Sequence, residues 1–207
     1  MLSAWEPEVA PLRRLLAAAS VKAARAVALE AVGVGTVDAA VGAARAIARE
    51  RPARVIFVGT AGVYPGAGRT LPIGAAAVAS DVRLVSTAAL RGDAYHPAPL
   101  VAAAEPDERL TARLVRAAGA PTPLASVACP LAITRTAALA KRLEATGAAL
   151  ENLEAFAVAR AAAAARVPFA AVLGVSNVVG PRAHAEWRAN HLAASRAACH
   201  LVGALLG

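Results

Sequence analysis

The 207-residue chain suits one domain with a full core, read here as residues 1–207. Hydrophobic residues make up 58% but aromatics only 3%, so alanine supplies most of the apolar count and the helices should be slim and closely packed. The net charge of +8 lies on arginines scattered through Ala-rich segments such as "AARAIARERPAR"; seven Phe, Tyr and Trp in all leave few rings for a stacking platform, so a solvated basic surface is expected rather than a nucleic-acid face.

In chain order, Ser3 and Glu6 in "SAWEPEV" fit a capping box, which leaves Glu8 without as clear a structural duty. Val27 to Gly35 reads as a strand ending in glycines, and Val37 to Arg51 as a helix. Arg54 to Val58, "RVIFV", is a short apolar strand of the kind buried on both faces. It ends in Gly59-Thr60-Ala61-Gly62. Ile73 to Ser86 reads as one or two strands, Arg109 to Ala118 as a helix, Leu124 to Ala128 as a strand and Thr136 to Thr146 as a helix. Glu151 to Arg166 is a strong helix, Pro168 opens the next strand, and Glu186 to Leu206 is a closing helix. Strands alternating with helices indicate an α/β fold with a largely parallel sheet. Ligands of such sheets sit at the carboxyl ends of the strands, where Gly59 to Gly62 and Ser176-Asn177 both fall.

Cys129 and Cys199 form no C-x-x-C pair, and Glu6 and Glu8 stand where a signal peptide would be apolar. Reduced thiols in a cytoplasmic protein are therefore expected. Arg160 and Arg166 break the most apolar later run, so no membrane span is expected. His96, His184, His191 and His200 lack metal-ligand spacing, and neither a metal nor an organic cofactor is implied.

"GVGTVDAA", from Gly33, follows a strand and opens a helix, but lacks the third glycine and the later acid of a dinucleotide site. A tight turn is the better reading. "VGTAGVYPGAG" is more specific, because glycines let backbone approach a ligand and Thr60 offers a donor and an acceptor. Glu151 and Glu154 begin a helical segment. Glu151 suits the helix dipole. Glu154 precedes an apolar helix and can point inward, where a buried carboxylate needs partners such as ribose hydroxyls. "FAAVLGVSNVVGPRAHAEW" is an apolar strand that stops in a hydroxyl and an amide and then turns at Gly-Pro-Arg. Trp187 follows, a ring equally suited to the core or to the underside of a pocket.

In order, "EPEVAPLRRLL", "GVGTVDAAVGAA", "VIFVGTAG", "ENLEAFAVA" and "VPFAAVLGVSN" resemble the nucleosidase branch of the purine nucleoside phosphorylase superfamily. They cover nearly the whole chain. The tail "SNVVGPRAHAEW" is most similar to the futalosine hydrolase family, where relatives that cleave methylthioadenosine and S-adenosylhomocysteine carry Ser-Asp. The resemblance implies a three-layer α/β/α domain with a mixed central sheet and a shortened first strand. It implies hydrolysis of a purine N-ribosidic bond, futalosine giving hypoxanthine and dehypoxanthine futalosine in menaquinone biosynthesis. It implies Glu8 as the base that activates water and Glu154 as the ribose-binding carboxylate. Thr60, Ala61 and Gly62 match the loop beside sugar and base, Leu153 stands where the family has Met, and Ser176 and Asn177 match the base-binding pair. Arg182 belongs to a turn expected to close over that end. A homodimer or larger homo-oligomer is expected.

Asn177 in place of Asp favours a 6-oxopurine, because an amide NH2 suits acceptors at N7 and O6. Phosphorylases of the superfamily carry an arginine just before the glycine loop; here Phe57 and Val58 precede it, which favours water as nucleophile. Leu173 replaces an arginine expected near the site, and Phe156 stands where small residues are usual, narrowing the pocket. A methylthioadenosine or S-adenosylhomocysteine nucleosidase, and a purine-binding relic without turnover, remain open alternatives. Tyr95 and His96 suit either the pocket for the 5′ substituent or a surface loop.

Overall fold

The computed structural model describes residues 1–18, 27–119 and 121–205. Among them the elements are β1 (Leu2–Ser3), α1 (Glu6–Ala18), β2 (Glu30–Ala31), α2 (Thr36–Glu50), β3 (Val55–Val63), β4 (Ala76–Val85), α3 (Thr87–Arg91) and β5 (Ala103–Ala104). Then follow α4 (Glu108–Ala117), β6 (Leu124–Pro130), α5 (Ala137–Glu144), β7 (Leu150–Glu151), α6 (Ala155–Ala164), β8 (Phe169–Val178) and α7 (Ala183–Gly203).

The eight strands form one mixed sheet. β1 lies between β2 and β3, parallel to both. β3 also pairs in parallel with β8, from Val55 opposite Phe169 onward, and its end meets β7 in antiparallel fashion. β8 runs antiparallel to β4, which is parallel to β6, which is parallel to β7. The path β3–β8–β4–β6–β7 thus returns to β3 and closes on itself. β5 is added antiparallel to β4.

The two long apolar strands carry layers on both sides. On β3, Val55 and Phe57 enter one core while Ile56 and Val58 enter the other; on β8, Ala171 and Leu173 alternate with Ala170 and Val172 in the same way. Successive side chains of a strand point to opposite faces, so a continuous apolar run buries both. One core is roofed by α2 (Ala39, Ala43, Ala46, Ile47) and α6 (Ala155 to Ala159, Ala162). The other is roofed by α1 (Val9, Leu12, Leu16), α4 (Leu110, Leu114) and α7 (Ala198, Cys199, Leu201, Val202). Each fully buried leucine contributes about 2 kcal/mol of transfer free energy. The small residues let backbones approach closely: a Cβ on Gly174 would stand 2.0 Å from the Ala194 carbonyl oxygen.

Several boundaries differ from the sequence expectation. The strand expected over 27–35 narrows to the two residues of β2, since Gly33 and Gly35 take φ of 110° and 84° and turn the chain away. The helix expected from Glu151 starts at Ala155, because Glu151 is drawn into β7. α7 starts three residues earlier than expected; of its expected end, Leu206 lies outside the described residues. Ser3 makes no capping box: its hydroxyl turns to Glu8, and Glu6 pairs with Arg13 instead. Every described arginine except Arg83 is exposed. Among the described residues, no helix is long and apolar enough to cross a membrane.

Candidate active site

A cavity of about 370 Å³ opens at the carboxyl ends of β3 and β8. Its walls include Glu8, Thr60, Ala61, Gly62, Leu153, Glu154, Ser176 and Asn177, so eight of the nine residues singled out in the sequence converge there.

Glu8 comes from the first turn of α1 and is buried. Its Oε1 accepts from the Thr60 backbone N–H at 2.9 Å and the Thr60 hydroxyl at 2.8 Å, and its Oε2 accepts from the Ser3 hydroxyl at 2.8 Å. Burial pushes its pKa above the ordinary value, and these donors only partly oppose that. Glu154 ends the turn before α6. One oxygen accepts from the Gly35 N–H at 2.8 Å and the other from the Asn152 amide at 3.0 Å. Burial raises its pKa too, and the charge of nearby Glu8 adds to the rise. The Gly33–Gly35 turn therefore serves the site: it aims a backbone donor at a carboxylate rather than at a dinucleotide.

β8 carries a bulge here. Ala61 pairs with Val175 and Gly62 with Asn177, so Ser176 is the extra residue. In a regular strand, neighbours 176 and 177 would face opposite sides; the bulge lets both line the cavity. The Ser176 hydroxyl lies 2.8 Å from Asn177 Oδ1 and 3.1 Å from the Ala61 carbonyl, and Asn177 Nδ2 donates to the Val178 carbonyl at 3.3 Å.

Sequence reasoning missed Asn152. Its Oδ1 accepts from the N–H groups of Glu154 (2.9 Å) and Ala155 (2.7 Å), capping α6, while its Nδ2 donates to the Thr60 carbonyl and to Glu154. The signal was an Asn three residues before an apolar helix, a position suited to an Asx turn. Glu151 is not a helix-dipole acid. It lies buried in β7, accepting from Thr134 N–H (3.0 Å), Thr134 hydroxyl (2.6 Å) and Tyr64 hydroxyl (3.0 Å), and it lines the cavity wall.

Arg182 corrects another expectation. Its side chain is 85% exposed and pairs with Glu186 at 3.1 Å across one helical turn, outside the cavity lining. The guanidinium faces solvent and pairs with Glu186, and Ala183, His184 and Trp187 line that end of the cavity instead. Leu173 on β8 and Phe156 on α6 also stand apart from the cavity, in the core shared by the sheet, α2 and α6; Phe156 fills core space and is not among the residues that line the pocket. Tyr95 is 84% exposed and His96 borders a separate hollow beside Arg83. Among the described residues, no three His, Cys, Asp or Glu side chains gather as a metal-binding cluster.

At 35% identity over 136 residues, the chain is similar to the futalosine hydrolase of Streptomyces coelicolor; the alignment covers 64% of this chain and 58% of that relative, less than two thirds of its length. In fold it is similar to the futalosine hydrolase of Helicobacter pylori (TM-score 0.84, 16% identity, 99% of this chain and 94% of that one). It is also similar in fold to the 5′-methylthioadenosine/S-adenosylhomocysteine nucleosidase of Neisseria meningitidis (TM-score 0.82, 20% identity, 99% and 96%). The model of the phosphorylase superfamily matches residues 7–207. With that match across nearly its full length, the chain belongs to the phosphorylase superfamily.

Proposed function

We propose that the chain is a purine nucleosidase that hydrolyses the N-ribosidic bond without phosphate, with futalosine as substrate and hypoxanthine as leaving base. The observation that carries the choice of base is the Asn177 amide. Its oxygen faces the Ser176 hydroxyl at 2.8 Å and one N–H donates to the Val178 carbonyl at 3.3 Å, so the second N–H is the donor left for a ligand. A 6-oxopurine presents acceptors at N7 and O6, either of which pairs with that N–H. A 6-aminopurine would set its own amino group against that donor and leave both unpaired.

Among the described residues, the cavity walls hold three carboxylates, Glu8, Glu151 and Glu154, and no lysine or arginine. A phosphate dianion would find repulsion there and no charge-assisted donor. Water meets neither obstacle. Glu8, a buried carboxylate whose pKa burial raises above the ordinary value and so a stronger base than an exposed one, is suited to take a proton from that water as it attacks. Glu154, anchored by Gly35 and Asn152, is suited to hold ribose hydroxyls. Both carboxylates favour the positive charge that develops on the sugar, while the Asn177 amide favours the negative charge leaving with the base. The similarity to the futalosine hydrolases of Streptomyces coelicolor and Helicobacter pylori supports this reading.

The same proposal includes the setting. Cys129 and Cys199 are buried free thiols, in keeping with a reducing cytoplasm. Trp5, Val34 and Ile133 leave apolar surface exposed at the cavity mouth, in keeping with a homodimer or larger homo-oligomer, which light scattering tests.

The deciding experiment is chromatographic detection of purine released from futalosine, inosine and methylthioadenosine, each with and without phosphate. Phosphate-independent hypoxanthine from futalosine, lost in Glu8→Gln, is the expected result. Adenine from methylthioadenosine would overturn the choice of base. No release from any of the three, with hypoxanthine still bound, would reduce the chain to a purine-binding relic.

A further inference from the structure

We propose that Trp187 is a positioning residue for Glu8: its indole N–H orients the Thr60 hydroxyl so that the hydroxyl proton is given to the carboxylate. The inference rests on the role proposed above for Glu8. Trp187 Nε1 lies 3.3 Å from Thr60 Oγ1, and Thr60 Oγ1 lies 2.8 Å from Glu8 Oε1. An indole nitrogen can only donate, whereas a hydroxyl has one proton and can also accept. The Thr60 oxygen must therefore accept from Trp187, which directs its single proton to Glu8. Donors in series polarise one another, and donation to the charged form of a carboxyl favours that form. The indole thus opposes, at one remove, the burial that would keep Glu8 protonated.

The ring is held for this task. Trp187 stacks on His191 with centroids 4.6 Å apart and on His184 at 5.9 Å, and it meets Trp5 at 6.0 Å. The titratable groups around Glu8 are Glu154 before α6, Glu151 on β7, and His184, His191 and Cys199 on α7; the Cys199 thiol donates to the Glu8 backbone carbonyl at 3.2 Å. A ring needed only for packing would do as well without its N–H.

Trp187→Phe keeps an aromatic ring and removes the donor. Its expected effects are a shift of the acid limb of kcat/KM to higher pH and a fall in kcat of about threefold to tenfold with KM nearly unchanged, a fraction of what a general base contributes. The Glu8 carboxyl, followed by carbon-13 NMR and assigned with Glu8→Gln, should titrate at higher pH in Trp187→Phe and unchanged in Trp5→Phe. A Glu8 titration in Trp187→Phe equal to that of the native protein overturns the proposal. On the native protein, the Trp187 indole N–H resonance should move as Glu8 titrates and lose that movement in Glu8→Gln. Movement that survives undiminished in Glu8→Gln comes from another group and overturns it too. This second measurement stands even where Trp187→Phe fails to fold. Neither NMR reading needs turnover, so absence of hydrolysis by the native protein sinks the nucleosidase reading while the role of Trp187 is still decided.

Discussion

Gly62 and Asn177 are in such close approach that a Cβ on Gly62 would stand 2.8 Å from the Asn177 amide nitrogen. The same Cβ would meet Val179 Cγ2 at 2.8 Å. Both obstacles are ends of side chains, so Gly62→Ala should leave the sheet folded and push the amide off its position. Displacement of a substrate-positioning group by about 1 Å can cost ~10²-fold. The expected result is a loss of that order in kcat/KM for futalosine, with circular dichroism unchanged. Full activity in Gly62→Ala would remove Asn177 from the base site.

Asn177→Asp tests the selection of the base directly. A carboxyl in place of the NH2 group offers both a donor and an acceptor, the pattern a 6-aminopurine needs at N7 and its amino group. The ratio of hypoxanthine release from futalosine to adenine release from methylthioadenosine should fall by roughly 10²-fold or more. An unchanged ratio would mean that another group reads the purine.

Arg182→Ala should leave kcat/KM within about twofold of the native value and the melting temperature nearly unchanged, because an exposed i,i+4 pair contributes little. A large loss would show that the guanidinium swings into the cavity when substrate is bound.

Arg182 also shows where reading from sequence ends. A guanidinium after Gly-Pro can face a ligand or water, and only the Glu186 partner one turn on decides it. The frame was legible, because "RVIFV" and "VPFAAVLGVSN" are continuous apolar runs that can be buried only between two layers. Their polar ends marked the cavity correctly for Thr60, Ser176 and Asn177. The bulge that turns Ser176 and Asn177 to the same side was not legible, since it is a mismatch between two strands and not a property of one. Glu151 was misread for a related reason. It looks like a first-turn acid until Asn152 is seen to cap α6, which shifts the helix start and leaves Glu151 in the sheet. Leu173 resembled a substitution in the site, yet strand alternation puts it in the core with Phe57.

The buried carboxylates set a pH dependence whose sign can be worked out. Glu8 and Glu154 both have folded-state pKa values raised above the ordinary 4.5, chiefly by burial. Folding therefore favours their protonated forms. The stability they contribute is fully present below about pH 4.5 and is lost as pH rises through the raised values. Glu8→Gln mimics the protonated carboxyl and keeps an acceptor for Thr60. Its melting temperature should nearly match that of the native protein below about pH 4.5, exceed it increasingly as pH rises, and hold a constant excess once Glu8 ionises in the folded state. Melting curves at a series of pH values give the comparison. Because the charge of Glu8 helps raise the pKa of Glu154, the gains of Glu8→Gln and Glu154→Gln should be less than additive in the double variant. A pH-independent difference would show that burial of Glu8 does not penalise its charge. A gain in stability joined to loss of hydrolysis would mean that the site holds these carboxylates against the preference of the fold, as expected where charge is kept for chemistry.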